Sequence, residues 1–141
     1  MKQPVIRTSR CVLRPAVIED ASWMFELFKD EEVVAYIEGI KLFNANIEAV
    51  VGFIKSMEIN CQKRIGMLWS IIYKETPIGF IMVNDLDENP FLTFALFPEY
   101  RNLRFGSEVY KSINRFVSKQ FGTPSTETKN PIVKKILCHY N

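Results

Sequence analysis

Residues 97–110 read FPEYRNLRFGSEVY and join a predicted strand to a predicted helix. The first residue of this stretch, Phe97, is also the last residue of the apolar segment FLTFALF (91–97). That segment predicts a strand stopped by Pro98. The stretch leads into residues 106–121, where apolar side chains recur at helical spacing. A strand is therefore predicted to end here, a basic turn follows, and a helix begins. Two arginines and a glycine then lie at a helix end that already carries partial positive charge.

This combination of residues indicates an anion or phosphate site. The first N–H groups of a helix lack partners, glycine allows close approach, and arginine adds charged donors. The stretch supplies all three between Arg101 and Ser107. It is neither a Gly-Lys-Ser/Thr loop nor a GxGxxG dinucleotide fingerprint. A solvated basic loop capped by Ser107 is the alternative interpretation.

Outward from this stretch, the chain predicts strands before it. Two segments, MLWSIIY (67–73) and IGFIMVN (78–84), are rich in Ile and Val, and residues 74–77 between them predict a hairpin with a longer turn. A short strand, CVLR (11–14), is stopped by Pro15. A further strand is predicted around residues 123–128.

Helical spacing marks the remaining segments. The first runs through residues 17–37, and the second covers 44–60 with Asn46 as its N-cap. Asn130 and Pro131 predict the start of a last helix, as N-cap and first helical residue.

The order of predicted elements is β-α-α-β-β-β-α-β-α. It indicates an α/β (α+β) fold with a mixed, mostly antiparallel sheet flanked by helices. Strand 91–97, helix 106–121 and the strand near 125 would form a β-α-β crossover. Ligands of such units bind beyond the carboxyl end of the strand, which is where residues 97–110 lie.

Composition narrows the classes of protein to which the chain can belong. The 141 residues fit a single domain, 1–141, and 48% hydrophobic residues are enough for a core. A net charge of +2 argues against nucleic acid and membrane as partners. Three well-separated cysteines favour a reduced, cytoplasmic protein, and one histidine argues against a metal site. No apolar run approaches the roughly 18 residues of a membrane span.

Several motifs together resemble a known family. The stretch 97–110 resembles the pyrophosphate loop of GNAT-type N-acetyltransferases, usually Arg/Gln-x-x-Gly-x-Gly/Ala, with Arg101 first and Gly106 last. Residues 8–37 resemble the "leucine-arginine-proline" strand and Asp-Ala helix that open its RimJ/RimL-like branch. Residues 69–85 resemble the family's central hairpin, and 129–141 resemble its "Asn-Pro-x-Ser" helix. The resemblance covers nearly the whole chain in the right order.

The resemblance implies a GNAT-like fold and transfer of acetyl from acetyl-CoA, as co-substrate, to a primary amine. The acceptor would be a protein N-terminus or a small amine. Leu96 and Phe97 would pair with the pantetheine arm, and Asn130 would contact the cofactor from the other side. The pyrophosphate cradle would comprise Arg101, Asn102, Leu103, Arg104, Phe105, Gly106 and Ser107.

The chain also departs from the family pattern. Arg104 stands where the family usually has glycine, so its side chain either contacts the 3′-phosphate of CoA or blocks the groove. Leu137 replaces the usual tyrosine acid, and Glu99, Ser125 and Glu127 are the candidates for proton transfer. Relatives add one more strand after Asn141, which predicts a short member and a homodimer paired through the open edge. These departures keep open a non-catalytic GNAT-fold module that binds CoA or a protein.

Overall fold

A computed structural model describes residues 2–37, 39–122 and 124. Within these residues the strands are β1 (Ile6–Arg7), β2 (Cys11–Pro15), β3 (Gly66–Tyr73), β4 (Thr76–Asn84) and β5 (Phe91–Leu96). The α-helices are α1 (Ala21–Phe28), α2 (Glu31–Tyr36), α3 (Ile47–Gln62) and α4 (Phe105–Gln120). Short 3-10 turns lie at Ile18–Asp20, Ile40–Leu42 and Pro98–Tyr100.

The five described strands form one antiparallel sheet in the order β1-β2-β3-β4-β5. The register of the central hairpin pairs Trp69 with Ile81, and β4 then pairs Ile81 with Phe94. These three side chains share one face because facing residues of neighbouring strands point the same way. The predicted fold class is confirmed.

Both faces of the sheet are covered. On one face Trp69, Ile81 and Phe94 belong to a core that includes Val109 and Ile113 of α4. The opposite core combines alternate strand residues with the inner sides of α1 and α3; its members include Leu68, Phe80, Met82, Met24, Phe28, Val50 and Ile54. Burial on both faces explains why the strand sequences are almost continuously apolar.

A buried carboxylate ties the first helix to the sheet. Asp20 is 3% exposed and accepts two bonds of 2.7 Å from the guanidinium of Arg14 on β2. Its carboxylate also accepts 2.9 Å bonds from the Val17 N–H, the Trp23 indole and the Ser70 hydroxyl. Burial alone would raise the pKa of Asp20, but these donors outweigh it and lower the pKa to about 2.

The structure corrects three details of the sequence prediction. The helix expected over residues 17–37 is interrupted, because Asp30 has an extended backbone and its side chain caps α2. The hairpin turn is short, since Tyr73 pairs with Thr76 and only two residues with positive φ, Lys74 and Glu75, lie between them. β2 extends through Pro15, its last residue.

Short strand β1 was not predicted. The expected strand at 123–128 and the last helix fall outside the described ranges, apart from Pro124.

Candidate functional site

The end of β5 continues through a basic loop into α4. After the turn at Pro98–Tyr100, the chain takes a left-handed conformation at Asn102, with a φ of 63°, and again at Arg104, with a φ of 68°. The first bond of the α4 ladder runs 3.1 Å from the Glu108 N–H to the Arg104 carbonyl. The Arg104 side chain does not cap the helix. The N–H groups of Phe105 and Gly106 therefore precede the ladder at a helix end that attracts anions.

The N-terminal segment supports this helix end from behind. The Arg10 guanidinium lies 3.9 Å from the centroid of the Phe105 ring and donates a 3.0 Å bond to the Leu103 carbonyl. Arg10 also binds Glu108 through its Nε at 2.8 Å and its backbone N–H at 2.7 Å, and the Thr8 hydroxyl donates to the same carboxylate. Burial alone would raise the pKa of Glu108, but the bonds from Thr8 and Arg10 hold it below its ordinary value. The loop conformation is thus fixed by residues nearly a hundred positions away.

The two loop arginines have different surroundings. Arg101 is turned inward: its guanidinium binds Asp30 at 2.7 Å, Glu32 at 2.8 Å and the Leu96 carbonyl at 3.0 Å. Arg104 is exposed, and its side chain makes no ion pair with the rest of the described chain. Of the two side chains, Arg104 is the one available to an anion.

The end of β5 presents backbone groups at the outer edge of the described sheet. The Phe97 N–H donates to the Ile78 carbonyl on β4 at 2.9 Å. Because bonding directions alternate along an antiparallel strand, Leu96 directs its N–H and carbonyl away from β4. β5 is the last strand of the described sheet, so Leu96 faces its outer edge. An extended ligand can pair there as an added strand does.

A glycine permits the close strand approach at this edge. A Cβ on Gly79 would lie 2.1 Å from the Ala95 carbonyl oxygen and 3.0 Å from Cα of Leu96. No side chain fits in that space, which accounts for the glycine within β4.

Helix α1 covers the end of β5. Trp23 and Phe97 pack with ring centroids 6.2 Å apart, and both are half-buried. The Trp23 indole is held by its bond to Asp20. Trp23 therefore lies in the wall beside the strand end, while Trp69 is fully buried in the core.

The structure brings together most of the predicted site residues. Leu96 ends β5, Phe97 follows it, and the loop from Arg101 to Ser107 leads from there into α4. Glu99 is exposed on the turn between them. Ser125, Glu127 and Asn130 lie outside the described residues.

Sequence reasoning missed the residues that hold the loop in place, which are Thr8, Arg10, Asp30 and Glu32. The sequence signal for Asp30 was available, since an aspartate followed by two glutamates is typical of a helix start. Its pairing with Arg101 spans 71 positions and leaves no local signal. In the ranges that the structure describes, no cluster of three or more His, Cys, Asp or Glu could hold a metal ion.

The chain matches a known protein family. The profile of the family described as acetyltransferase (GNAT) domain matches residues 10–137. A relative from Bacillus subtilis (strain 168), the uncharacterized N-acetyltransferase YoaA, is 26% identical over 115 residues. That match covers 78% of this chain but 64% of the relative.

Solved structures agree with the fold. An acetyl transferase from Salmonella typhimurium, which modifies the N-terminal serine of 50S ribosomal subunit protein L7/L12, superposes with a TM-score of 0.78 at 9% identity, covering 96% of this chain and 83% of that one. RimL, a ribosomal L7/L12 alpha-N-protein acetyltransferase in complex with coenzyme A, gives a TM-score of 0.73 at 10% identity, covering 85% and 71%. The predicted RimJ/RimL-like architecture is confirmed at the level of the fold.

Proposed function

Because the chain belongs to the GNAT acetyltransferase domain family, whose profile spans residues 10–137, we propose that it transfers the acetyl group of acetyl-CoA to a primary amine. One observation carries the proposal. The N-terminus of α4 follows the end of β5 after one turn and the basic loop, and it has no side-chain cap from Arg104, so it offers backbone N–H groups to a pyrophosphate.

The residues present fit the cofactor in two places. The N–H groups of Phe105 and Gly106, together with the exposed Arg104 side chain, would bind the phosphates. The outward N–H of Leu96, whose carbonyl accepts a bond from Arg101, would pair with the extended pantetheine arm beside Phe97. Holding the two substrates side by side supplies much of the rate in such a transfer.

The reaction forms a C–N bond and breaks the thioester C–S bond. The amine must lose a proton before or during attack, and the departing sulfur gains one. Glu99, exposed on the turn next to the loop, is the proposed proton acceptor among the described residues. Ser125 and Glu127 are proposed for the same step, and Asn130 for cofactor contact.

The proposed acceptor is a protein N-terminus, with a small amine as the second choice. Support comes from the two structural neighbours, which are named as acetyltransferases of a ribosomal protein N-terminus. We also propose that residues 1–141 form one domain, since the family profile extends over 10–137 without a break.

Location and assembly are further proposals. In the described ranges no helix is both long and apolar enough to cross a membrane. Cys11 carries a buried free thiol, which suits a reducing cytoplasm. A homodimer stays a prediction, and sedimentation velocity measures it.

Two measurements test the activity. Acetyl-CoA is titrated by calorimetry, and the protein is then incubated with acetyl-CoA and a peptide bearing a free α-amine. We expect saturable binding and a peptide mass gain of one acetyl group. The same peptide with a blocked N-terminus is the control, and a polyamine tests the small-amine alternative. Binding without transfer to any amine would favour the non-catalytic module, and absence of binding contradicts both.

A further inference from the structure

Each of the three nitrogens of the Arg101 guanidinium contacts a protein group. Its Nη2 lies 2.7 Å from Oδ1 of Asp30, its Nη1 lies 2.8 Å from Oε2 of Glu32, and its Nε donates to the Leu96 carbonyl at 3.0 Å. The side chain is only 17% exposed. All three nitrogens thus point into the protein, between the end of β5 and the first turn of α2.

Asp30 both caps α2 and binds Arg101. Its Oδ1 caps α2 by accepting the N–H groups of Glu32 at 3.1 Å and Val33 at 3.3 Å, and the same oxygen binds Arg101. Burial alone would raise the pKa of Asp30, but the charge and hydrogen bond of Arg101 lower it. The cap of α2 and the end of β5 are therefore joined through one guanidinium.

We propose that Arg101 is a positioning residue that fixes the cofactor edge of β5 against α2, and that its guanidinium is not a phosphate ligand. This inference rests on the proposed function, because it concerns how the acetyl-CoA surface is held. Arg101 lies between Leu96 and the left-handed turn at Asn102. Its bond to the Leu96 carbonyl closes this loop on itself, while its bonds to Asp30 and Glu32 attach the loop to the α1–α2 layer.

A variant pair separates this role from phosphate binding. Asp30→Ser keeps an N-cap for α2, since serine caps well, but removes the partner of Arg101. We expect Arg101→Gln and Asp30→Ser each to weaken acetyl-CoA binding by about tenfold, and the double variant to lose no more than either one, as residues in one network do. Loss of a negative charge by itself favours an anion, so weaker binding by Asp30→Ser points to Arg101.

The salt dependence of binding supplies a second readout. A phosphate contact is screened by salt, so its loss flattens the dependence of affinity on ionic strength. We expect Arg101→Gln to keep the wild-type salt dependence while its affinity falls. Arg115→Gln, on the exposed side of α4, is the matched control for loss of one arginine and should leave affinity unchanged.

The outcomes are distinguishable. If the wild type does not bind acetyl-CoA, the proposed function fails and this inference falls with it. If the wild type binds and Asp30→Ser binds equally well or more tightly, the positioning role alone is overturned. Far-UV circular dichroism at the assay temperature verifies folding, and should Arg101→Gln not fold, Glu32→Gln replaces it, with a smaller expected loss because the Asp30 bond remains.

Discussion

Arg104 adopts a backbone conformation that residues with a Cβ rarely take. Its φ of 68° and ψ of 12° are left-handed, a region that costs such residues about 1–2 kcal/mol. The family pattern has glycine here, and the geometry explains that preference. The arginine keeps the turn that a glycine would make but adds an exposed charge beside the N-terminus of α4.

Two substitutions at this position separate the backbone from the side chain. We expect Arg104→Gly to raise the free energy of unfolding by about 1 kcal/mol, because glycine takes this conformation without cost. Arg104→Ala keeps the Cβ and should stay close to the wild type. Urea unfolding measures both, and equal stability of the two variants would contradict the strain.

The same two substitutions test whether the charge of Arg104 contributes to acetyl-CoA binding. Both variants lack the guanidinium, so we expect both to bind acetyl-CoA about fivefold more weakly, the size of one exposed charged hydrogen bond. Calorimetry at low ionic strength is the measurement. Tighter binding by both would mean that the arginine obstructs the groove.

Gly79 of β4 allows the close approach of β5. Its missing Cβ leaves room for the Ala95 carbonyl, which would lie 2.1 Å away. We expect Gly79→Ala to destabilise the fold by about 3 kcal/mol, since the clash is with backbone and cannot be relieved by a rotamer. The shift in the midpoint of thermal unfolding measures it.

Gly52 provides the matched control. It lies within α3, and a Cβ there would meet nothing within 4 Å. Gly52→Ala should therefore stabilise the protein by about 1 kcal/mol through helix propensity. If Gly79→Ala is tolerated as well as Gly52→Ala, the close approach of β4 and β5 is not required.

Single residues could be predicted from the sequence where their partner is local. Asn46 was expected to cap α3, and its side-chain oxygen accepts the Ala49 N–H at 2.8 Å. The partners of Arg101 could not be predicted in this way. Asp30 lies 71 positions away, and its approach depends on how the start of α2 is placed beside the loop that follows β5.

Asp20 joins three elements of secondary structure. Its carboxylate links Arg14 of β2 and Ser70 of β3 to the start of α1. From the sequence alone, Asp20 is only an acid suited to a first helical turn. Its burial and its five donors depend on strand pairing that local patterns do not contain.

The pKa of Asp20 makes stability depend on pH in acid. The pKa falls from 3.8 to about 2 on folding, so the unfolded chain takes up a proton first as the pH drops. The contribution is about 2 kcal/mol, fully present above about pH 4 and lost as the pH falls from 4 to 2. Unfolding free energies measured by urea titration at pH 6, 4 and 2.5 should show this loss.

A variant identifies the source of that loss. Asp20→Asn should cost about 3 kcal/mol at pH 6, because it leaves Arg14 without its charge partner, and should weaken the pH dependence below 4. Glu58→Gln, exposed on α3, should leave both unchanged. An unaltered pH profile in Asp20→Asn would assign the acid loss to other carboxylates.

Element boundaries followed the sequence where periodicity and turn residues agreed. The predicted helix at 106–121 is α4, Phe105–Gln120, and the hairpin strands differ by one or two residues. The break at Asp30 was missed because apolar spacing continues across it. The short turn at Lys74 and Glu75 was missed since neither residue favours a positive φ.

At the scale of the molecule, the antiparallel order could be predicted because each described strand neighbours the next in the chain. The position of the basic loop between β5 and α4 could also be predicted, since an apolar strand segment and a helical pattern flank it in the sequence. The supports of that loop from Thr8, Arg10 and α2 could not, because they bring together distant parts of the chain.

This layout predicts where a ligand should protect the protein from hydrogen exchange. The N–H groups of Phe105 and Gly106 precede the α4 ladder, and Leu96 faces the outer edge of the described sheet. Amides without internal partners exchange readily, so a ligand bound to them slows exchange locally. With acetyl-CoA we expect slower exchange in peptides covering 96–108 and no change in those from α3. Exchange followed by mass spectrometry, with AMP in place of acetyl-CoA as the control, measures this difference. Protection confined to α3, on the far side of the sheet from α4, would place the cofactor elsewhere and contradict the proposed site.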